Sequence, residues 1–240
     1  MLRVENVSKA YTKGAPILKE LNFSMDARSC VGLIGESGSG KSTLGRLILG
    51  LEKATSGAVL MEDLPIQTWH QQNKGAMSVV FQDYTTSVNP RFCVEQILQE
   101  PLWVFGKKMS TRELHALLQS VELPTNFLNR YAHELSGGQL QRVCLARSLA
   151  TKPRFLLLDE ALSSLDVSVQ AQMIMLLRKI REEYTMSYFL IAHDLESVSA
   201  LCERIMVLHQ GKIVETLNAD ALKHAQHPYT QQLLNAVISF

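Results

Sequence analysis

The pattern of apolar and polar positions predicts an alternation of short strands and helices along most of the chain. Two strands are predicted near the start, one from Leu2 and one from Ile17, with the turn residues Gly14 and Pro16 between them. Strands that alternate with helices favour an α/β fold with a parallel sheet. Further strands are predicted at residues 29–34, 78–81, 154–158, 188–192, 205–208 and 212–215, and helices at residues 41–49, 167–184 and 195–203.

One stretch, from about residue 90 to residue 135, has no strand-like pattern. Its apolar positions have helical spacing, and Ser110 and Glu113 have the residue types of a capping box at a helix start. We interpret residues 90–135 as a helical insertion in a single domain of residues 1–240, whose core comprises about residues 1–89 and 136–240.

Composition and charge narrow the class of protein. Lys and Arg number 24 against 23 Asp and Glu, which disfavours a dedicated nucleic-acid binder. No apolar run approaches the roughly 18 residues that span a bilayer, and the charged N-terminus is not patterned as a signal peptide. The four cysteines form no CxxC pair, so we expect buried, reduced thiols of a cytosolic protein.

A glycine-rich segment between a predicted strand and a predicted helix matches the phosphate-binding pattern GxxxxGK[ST] in full. Its glycines allow a turn so tight that successive N–H groups point into one concavity, which attracts phosphate together with the helix N-terminus. Lys41 would reach the β- and γ-phosphates, and the Ser42 hydroxyl is placed to ligate Mg²⁺. The predicted nucleotide-binding residues are Gly35, Glu36, Ser37, Gly38, Ser39, Gly40, Lys41, Ser42 and Thr43.

Two carboxylates follow the apolar run FLLL at the end of a predicted central strand. Ligands of open α/β sheets lie at this carboxyl end. We expect Asp159 to hold the Mg²⁺ shell and Glu160 to polarise the attacking water.

A second glycine-based anion site precedes another helix, at Leu135-Ser136-Gly137-Gly138-Gln139. One triphosphate does not need two such sites from one chain. The economical arrangement is a head-to-tail pair, in which this segment of one subunit closes over the triphosphate held by the other.

With these motifs in order, the sequence resembles the ATP-binding cassette (ABC) family over nearly its whole length, and LSGGQ is that family's signature. The resemblance implies a P-loop NTPase core with an antiparallel β-subdomain and an inserted α-helical signature subdomain. It also implies ATP and Mg²⁺ as ligands and, because Glu160 and the signature are intact, an active ATPase. It further assigns adenine stacking to Tyr11, Mg²⁺ or water ligation to Gln82, a D-loop role to Asp166, and a γ-phosphate contact to His193. The D-loop of this chain, SSLD, has serine at its second position, where alanine is more frequent in the family.

Three local stretches resemble the nickel, dipeptide and oligopeptide importer branch. They are FQD with SVNPR at residues 81–91, HPYT with LL at residues 227–234, and VCLAR at residues 143–147, which is most similar to nickel-importer subunits. The chain ends at Phe240 without the clustered cysteines of longer peptide-importer ATPases, which favours the short second ATPase of nickel or metallophore importers. His224 and His227 are poor evidence for a nickel site.

The resemblance therefore implies an importer ATPase for nickel or other transition-metal complexes. A peptide-importer ATPase and a soluble ABC ATPase outside transport remain alternatives. The implied partners are a second, non-identical ATPase subunit, two transmembrane permeases and an extracytoplasmic solute-binding protein, with no nucleic acid. The implied location is the cytoplasmic face of a bacterial cell membrane.

Overall fold

Two β-sheets with helices packed around them make up the fold. The computed structural model describes residues 1–12, 14–163 and 165–238. The strands are β1 (Leu2–Thr12), β2 (Ala15–Met25), β3 (Cys30–Ile34), β4 (Ser56–Met61), β5 (Leu64–Pro65), β6 (Met77–Phe81), β7 (Phe155–Asp159), β8 (Ser187–Ile191), β9 (Arg204–His209) and β10 (Lys212–Asn218). The helices are α1 (Lys41–Ile48), α2 (Ile66–Gln72), α3 (Val94–Trp103), α4 (Thr111–Ser120), α5 (Gly137–Leu149), α6 (Val167–Tyr184), α7 (Leu195–Leu201) and α8 (Pro228–Ile238).

The central sheet has six strands in the order β10-β9-β3-β8-β7-β6. All neighbours are parallel except β10, which pairs antiparallel with β9 in the predicted hairpin. Every residue of β3 and β8 is buried, as is typical of parallel strands covered on both faces. This confirms the predicted α/β fold, and it brings the carboxyl ends of β3, β6, β7 and β8 to one edge.

The smaller sheet is antiparallel, with strand order β2-β1-β4-β5. It confirms the two predicted N-terminal strands but corrects the turn between them. Pro16 lies inside β2, opposite Ala10, and not in the turn. The position is tolerated because β2 is an edge strand, where one missing N–H donor costs no ladder bond to a further strand.

The two faces of the central sheet belong to different hydrophobic clusters. Along β7, Phe155 and Leu157 pack with α1 and the antiparallel sheet. Leu156 and Leu158 pack with α5, α6 and the helical region on the other face. The alternation follows from the two-residue period of a strand.

Helices α3 and α4 and two 3₁₀ turns, at Thr125–Asn129 and Ala132–Glu134, lie between residues 90 and 135. The predicted capping box is confirmed: Ser110 Oγ accepts from the Glu113 N–H at 3.3 Å, and Glu113 Oε2 accepts from the Ser110 N–H at 2.8 Å. Leucines of α4 pack in the same hydrophobic cluster as α5 and the central sheet.

None of the helices in the described part of the chain is long and apolar enough to cross a membrane. The four cysteines are free thiols, of which Cys93 is half-buried and the other three are buried.

Candidate nucleotide-binding site

The P-loop connects β3 to α1, as the sequence predicts. Gly40 has φ +109° and precedes the first residue of α1, and a Cβ atom there would lie 2.6 Å from Cδ2 of Leu18. A Cβ atom at Gly35 would lie 2.1 Å from the carbonyl oxygen of Leu208. Glycine is therefore needed at both ends of the loop: at Gly35 because a neighbouring backbone carbonyl leaves no room for a side chain, and at Gly40 because of its φ.

The side chain of Lys41 is buried beneath the loop. Its Nζ donates hydrogen bonds to the carbonyl oxygens of Gly35 at 2.7 Å and Glu36 at 2.9 Å. Burial lowers the pKa of Lys41, and the nearby carboxylates of Glu160 and Asp159 partly oppose this shift. The ammonium group is thus held by neutral carbonyls at the place where a triphosphate would supply anionic partners.

Asp159 ends β7 beside Ser42, the second residue of α1. The Ser42 side chain hydrogen-bonds the Asp159 carboxylate, whose buried Oδ1 has no hydrogen-bond partner among the described residues. Burial, and then the neighbouring Glu160, raises the pKa of Asp159. A carboxylate and a hydroxyl are the oxygen ligands that Mg²⁺ prefers, so these two residues fit the implied metal.

Glu160 is one residue further along and has a backbone φ of +50°, in the left-handed region. Its N–H donates to the carbonyl of Ile191 at 2.9 Å, and its own carbonyl accepts from Ser163 Oγ at 2.8 Å. Glu160 Oε1 lies 4.0 Å from Lys41 Nζ. The fixed backbone directs this carboxylate toward the P-loop, although a non-glycine residue with this φ is strained.

A cavity of about 230 Å³ lies above the P-loop. It brings together six of the nine predicted P-loop residues, Glu160, and a residue that no motif identified. The additional residue is Ile17. The motifs missed it, because a lone apolar residue on a strand gives no indication of ligand binding. The lining residues are Ile17, Ser37, Gly38, Gly40, Lys41, Ser42, Thr43 and Glu160.

Gln82 and His193 do not line this cavity. Gln82 directly follows β6, His193 is the second residue after β8, and both are exposed. They lie at the same carboxyl edge as Asp159 and are free to meet a ligand or a second chain above it.

Tyr11 lies on β1 of the antiparallel sheet and is 53% exposed. Its hydroxyl donates to the carboxylate of Glu52 at 2.8 Å, and Lys9 Nζ lies 4.9 Å from the ring centroid. The hydrogen bonds from Tyr11 and Lys9 lower the pKa of Glu52. The ring is therefore held in place at the surface, outside the residues that line the cavity.

The signature segment forms the start of α5. Ser136 is the N-cap: its Oγ accepts from the Gln139 N–H at 3.3 Å, and Gln139 Oε1 accepts from the Ser136 N–H at 3.0 Å. Gly137 faces Tyr84, whose hydroxyl would lie 2.8 Å from a Cβ atom there, and Gly138 is half-buried. None of these residues lines the cavity of the chain's own P-loop.

Asp166 is engaged as the N-cap of α6. Its Oδ1 accepts from the Val169 N–H at 3.0 Å and from Ser168 Oγ at 2.8 Å. These hydrogen bonds lower the pKa of Asp166.

Comparison with known proteins identifies the class. The model of the family described as ABC transporter matches residues 18–163, so the chain belongs to the ABC transporter family. It is an ATPase cassette, in which ATP hydrolysis is coupled to transport.

Individual relatives cover all or most of the chain. The metal-staphylopine import system ATP-binding protein CntF of Staphylococcus aureus strain Mu50 is 38% identical over 100% of both chains. A putative peptide import ATP-binding protein of Brucella ovis is 39% identical over 100% of this chain and 79% of its own length. The oligopeptide transport ATP-binding protein OppF of Bacillus subtilis is 41% identical over 91% of this chain and 75% of its own.

Among solved structures, a dimeric post-hydrolysis state of the ATP-binding cassette MJ0796 with ADP and Pi superposes with a TM-score of 0.79. It is 29% identical and is matched over 91% of this chain and 99% of its own. The structure of cbiO1 from Clostridium perfringens, 23% identical with a TM-score of 0.83, shares the fold.

Proposed function

We propose that this chain is the ATP-hydrolysing subunit of an ABC importer for nickel or other transition-metal complexes, including metallophore-bound metal. The observation that carries the proposal is the 38% identity to CntF over the full length of both chains. The VCLAR stretch at residues 143–147, similar to nickel-importer subunits, supports the same cargo class. Peptide import is the second candidate, because relatives named for it are 39% and 41% identical.

The catalytic part of the proposal rests on the groups around the P-loop cavity. The loop N–H groups and the helix N-terminus bind the phosphates of ATP, and Lys41 exchanges its two carbonyl partners for phosphate oxygens. Ser42 and Asp159 would hold Mg²⁺, and the buried Asp159 Oδ1, which has no hydrogen-bond partner among the described residues, supports this role. When bound, Mg²⁺ neutralises charge on the β- and γ-phosphates. Glu160 accepts a proton from the attacking water.

The signature segment would act across a head-to-tail pair of ATPase subunits. Ser136 and Gly137 are exposed at the start of α5 and are absent from the chain's own cavity lining. Helix N-termini bind anions, so this segment would complete the site of a second, non-identical subunit. The dimeric state of the MJ0796 cassette supports this arrangement. Gln82 and His193, which lie at the same sheet edge as Asp159, would contact Mg²⁺ or water and the γ-phosphate, and Asp166 would contact nucleotide.

The other partners follow from the importer assignment. Two transmembrane permeases would carry the cargo, and an extracytoplasmic solute-binding protein would deliver it. The ATPase would then bind peripherally at the cytoplasmic face of a bacterial cell membrane. The names of the relatives, which describe import systems and peptide transport, support this assembly.

The test is stimulation of ATP hydrolysis in proteoliposomes that contain this chain, its co-encoded ATPase and both permeases. The co-encoded binding protein is added loaded with a Ni²⁺–metallophore complex, with free Ni²⁺, or with a mixture of short peptides. The proposal predicts stimulation by a nickel form and none by peptides. Stimulation by peptides alone would establish the second candidate, and stimulation by neither would refute both. Assemblies carrying Glu160→Gln serve as the inactive control.

A further inference from the structure

The C-terminal helix α8 contacts the first turn of the P-loop. The hydroxyl of Tyr229, a residue only 5% exposed, accepts a hydrogen bond from the backbone N–H of Glu36 at 2.8 Å. The two residues are 193 positions apart in the sequence. The N–H belongs to the P-loop, but the tyrosine that holds it lies outside the P-loop and the carboxylates described above.

The segment before Tyr229 is fixed by its own hydrogen bonds. The carboxylate of Glu215, on β10, accepts from the N–H groups of Gln226 at 2.7 Å and His227 at 3.3 Å. The Nδ1 atom of His227 accepts from the Tyr229 N–H at 3.2 Å and so caps the start of α8. Pro228 suits the first helical position, where no N–H donor is needed. Tyr229 is therefore placed by contacts on both sides of it.

The end of β9 supports the tyrosine and the loop together. The ring of His209 stacks on that of Tyr229, with centroids 3.9 Å apart. The preceding residue, Leu208, is the one whose carbonyl closely approaches Gly35. The first two residues of the P-loop thus lie between β9 and α8.

One peptide group is held from both ends by this arrangement. The N–H of Glu36 and the carbonyl of Gly35 belong to the same planar peptide unit. The N–H is held by Tyr229, and the carbonyl accepts from Lys41 Nζ at 2.7 Å. A rotation of this peptide would move the acceptor that places the lysine, and the Tyr229 hydroxyl opposes that rotation.

We infer that Tyr229 is a positioning residue of the nucleotide site: its hydroxyl fixes the Gly35–Glu36 peptide and thereby presets Lys41 for the triphosphate. The inference rests on the proposed assignment of the P-loop as the ATP site. It gives the histidine, proline and tyrosine of the HPYT stretch a shared task, in which the first two place the third.

The test uses Tyr229→Phe, which keeps the ring and its stacking but removes the acceptor. A net hydrogen bond corresponds to a change of about three- to tenfold in affinity. We expect the Kd for MgATP, measured by calorimetry on the full chain in the Glu160→Gln background, to rise by this factor. Because the same hydrogen bond also stabilises the fold, the thermal midpoint without nucleotide should fall only slightly below that of the matched control Tyr184→Phe, a half-buried tyrosine whose hydroxyl has no hydrogen bond in the described part of the chain.

Two further variants separate the possible failures. Glu215→Gln weakens the hydrogen bonds that hold the segment before Tyr229. It should also raise the Kd for MgATP, but by a smaller factor than Tyr229→Phe does. In the assembled transporter, Tyr229→Phe should raise KM for ATP while kcat stays within about twofold. An unchanged Kd in both Tyr229→Phe and Glu215→Gln, or a loss of thermal stability with no change in Kd, would overturn the inference. Lys41→Ala is the check on the site itself: full MgATP binding in that variant would refute the P-loop assignment instead.

Discussion

Replacing Asp159 with asparagine tests the proposed Mg²⁺ ligand at the end of β7. One oxygen of this carboxylate is buried with no partner among the described residues, and burial raises the pKa of the group. An ionised carboxylate at this position destabilises the nucleotide-free protein, because unfolding returns the charge to water. Asparagine keeps the shape of the side chain and removes the charge.

The size of the effect follows from the cost of an unsatisfied buried group, about 1–3 kcal/mol and more when the group is charged. Asparagine still leaves a neutral polar atom in the same place, so we expect a gain of about 1–2 kcal/mol. For a chain of this length, each kcal/mol raises Tm by about 2–4 °C. The Tm of nucleotide-free Asp159→Asn should therefore exceed that of the wild type by about 2–8 °C.

The dependence on pH has a definite sign. The folded-state pKa of Asp159 lies above the ordinary value of 3.8, so the folded protein binds the proton more tightly than the unfolded chain. The destabilisation is therefore fully present above the folded-state pKa and disappears as the pH falls to 3.8 and below. The amount by which the Tm of Asp159→Asn exceeds that of the wild type should therefore shrink as the pH falls.

The assay is differential scanning fluorimetry without nucleotide, with ATP and EDTA, and with ATP and Mg²⁺. The Tm of the wild type should rise more with ATP and Mg²⁺ than with ATP and EDTA. The Tm of Asp159→Asn should rise by the same amount in both conditions. Asp220→Asn, an exposed aspartate in a 3₁₀ turn, is the matched control and should behave as the wild type. A lower Tm for Asp159→Asn, or an undiminished Mg²⁺-dependent shift, would refute the reasoning.

Substitutions at three other site positions, with matched controls, test the rest of the site. Glu160→Gln should bind MgATP normally and lose phosphate release by at least about 100-fold, so unchanged hydrolysis would contradict its role as base. Ser136→Ala removes a helix cap, which should cost about 0.5–2 kcal/mol in thermal unfolding and also reduce ATPase activity of the assembled dimer. Ser110→Ala removes the equivalent cap of α4 and should lower stability alone; equal activity losses would argue against a signature role. Tyr11→Ala should raise the Kd for ATP about fivefold or more, while Tyr11→Phe, which loses only the Glu52 hydrogen bonds, should not; identical effects would exclude stacking.

The sequence was most informative at the carboxyl edge of the central sheet. Each buried parallel strand is a continuous apolar run that ends abruptly in polar residues, as β7 does at Asp159, so the strand and its candidate side chains are visible together. Their assembly then follows from parallel pairing, which aligns the strand ends.

The segment between α1 and β6 was not predicted, and its turn explains why. Glu62 and Asp63 connect β4 to β5 with φ values of +51° and +65°. A two-residue hairpin with both central residues in the left-handed region usually contains Asn or Gly, so the usual sequence signal is missing. Strand β5 has only two residues, which is too short for a periodic pattern.

Local sequence patterns also could not predict the contact of Tyr229 with the P-loop. Pro228 is the first residue of α8 and has the residue type that suits a helix start, but nothing in the sequence relates that helix to Glu36. Such a long-range pairing depends on where β9 and β10 place the chain, which only the three-dimensional structure defines.

The separation of the two hydrophobic clusters by the central sheet has a mechanical consequence. Helix α1, which carries Lys41, packs on one face, and α5, which follows Ser136, packs on the other. We therefore expect the layer that carries the P-loop and the layer that carries the signature segment to open as separate units on either side of the central sheet. Amide hydrogen exchange should report two cooperative units. A large-to-small substitution beside α5 should accelerate exchange in the layer that contains α5 more than in the other layer.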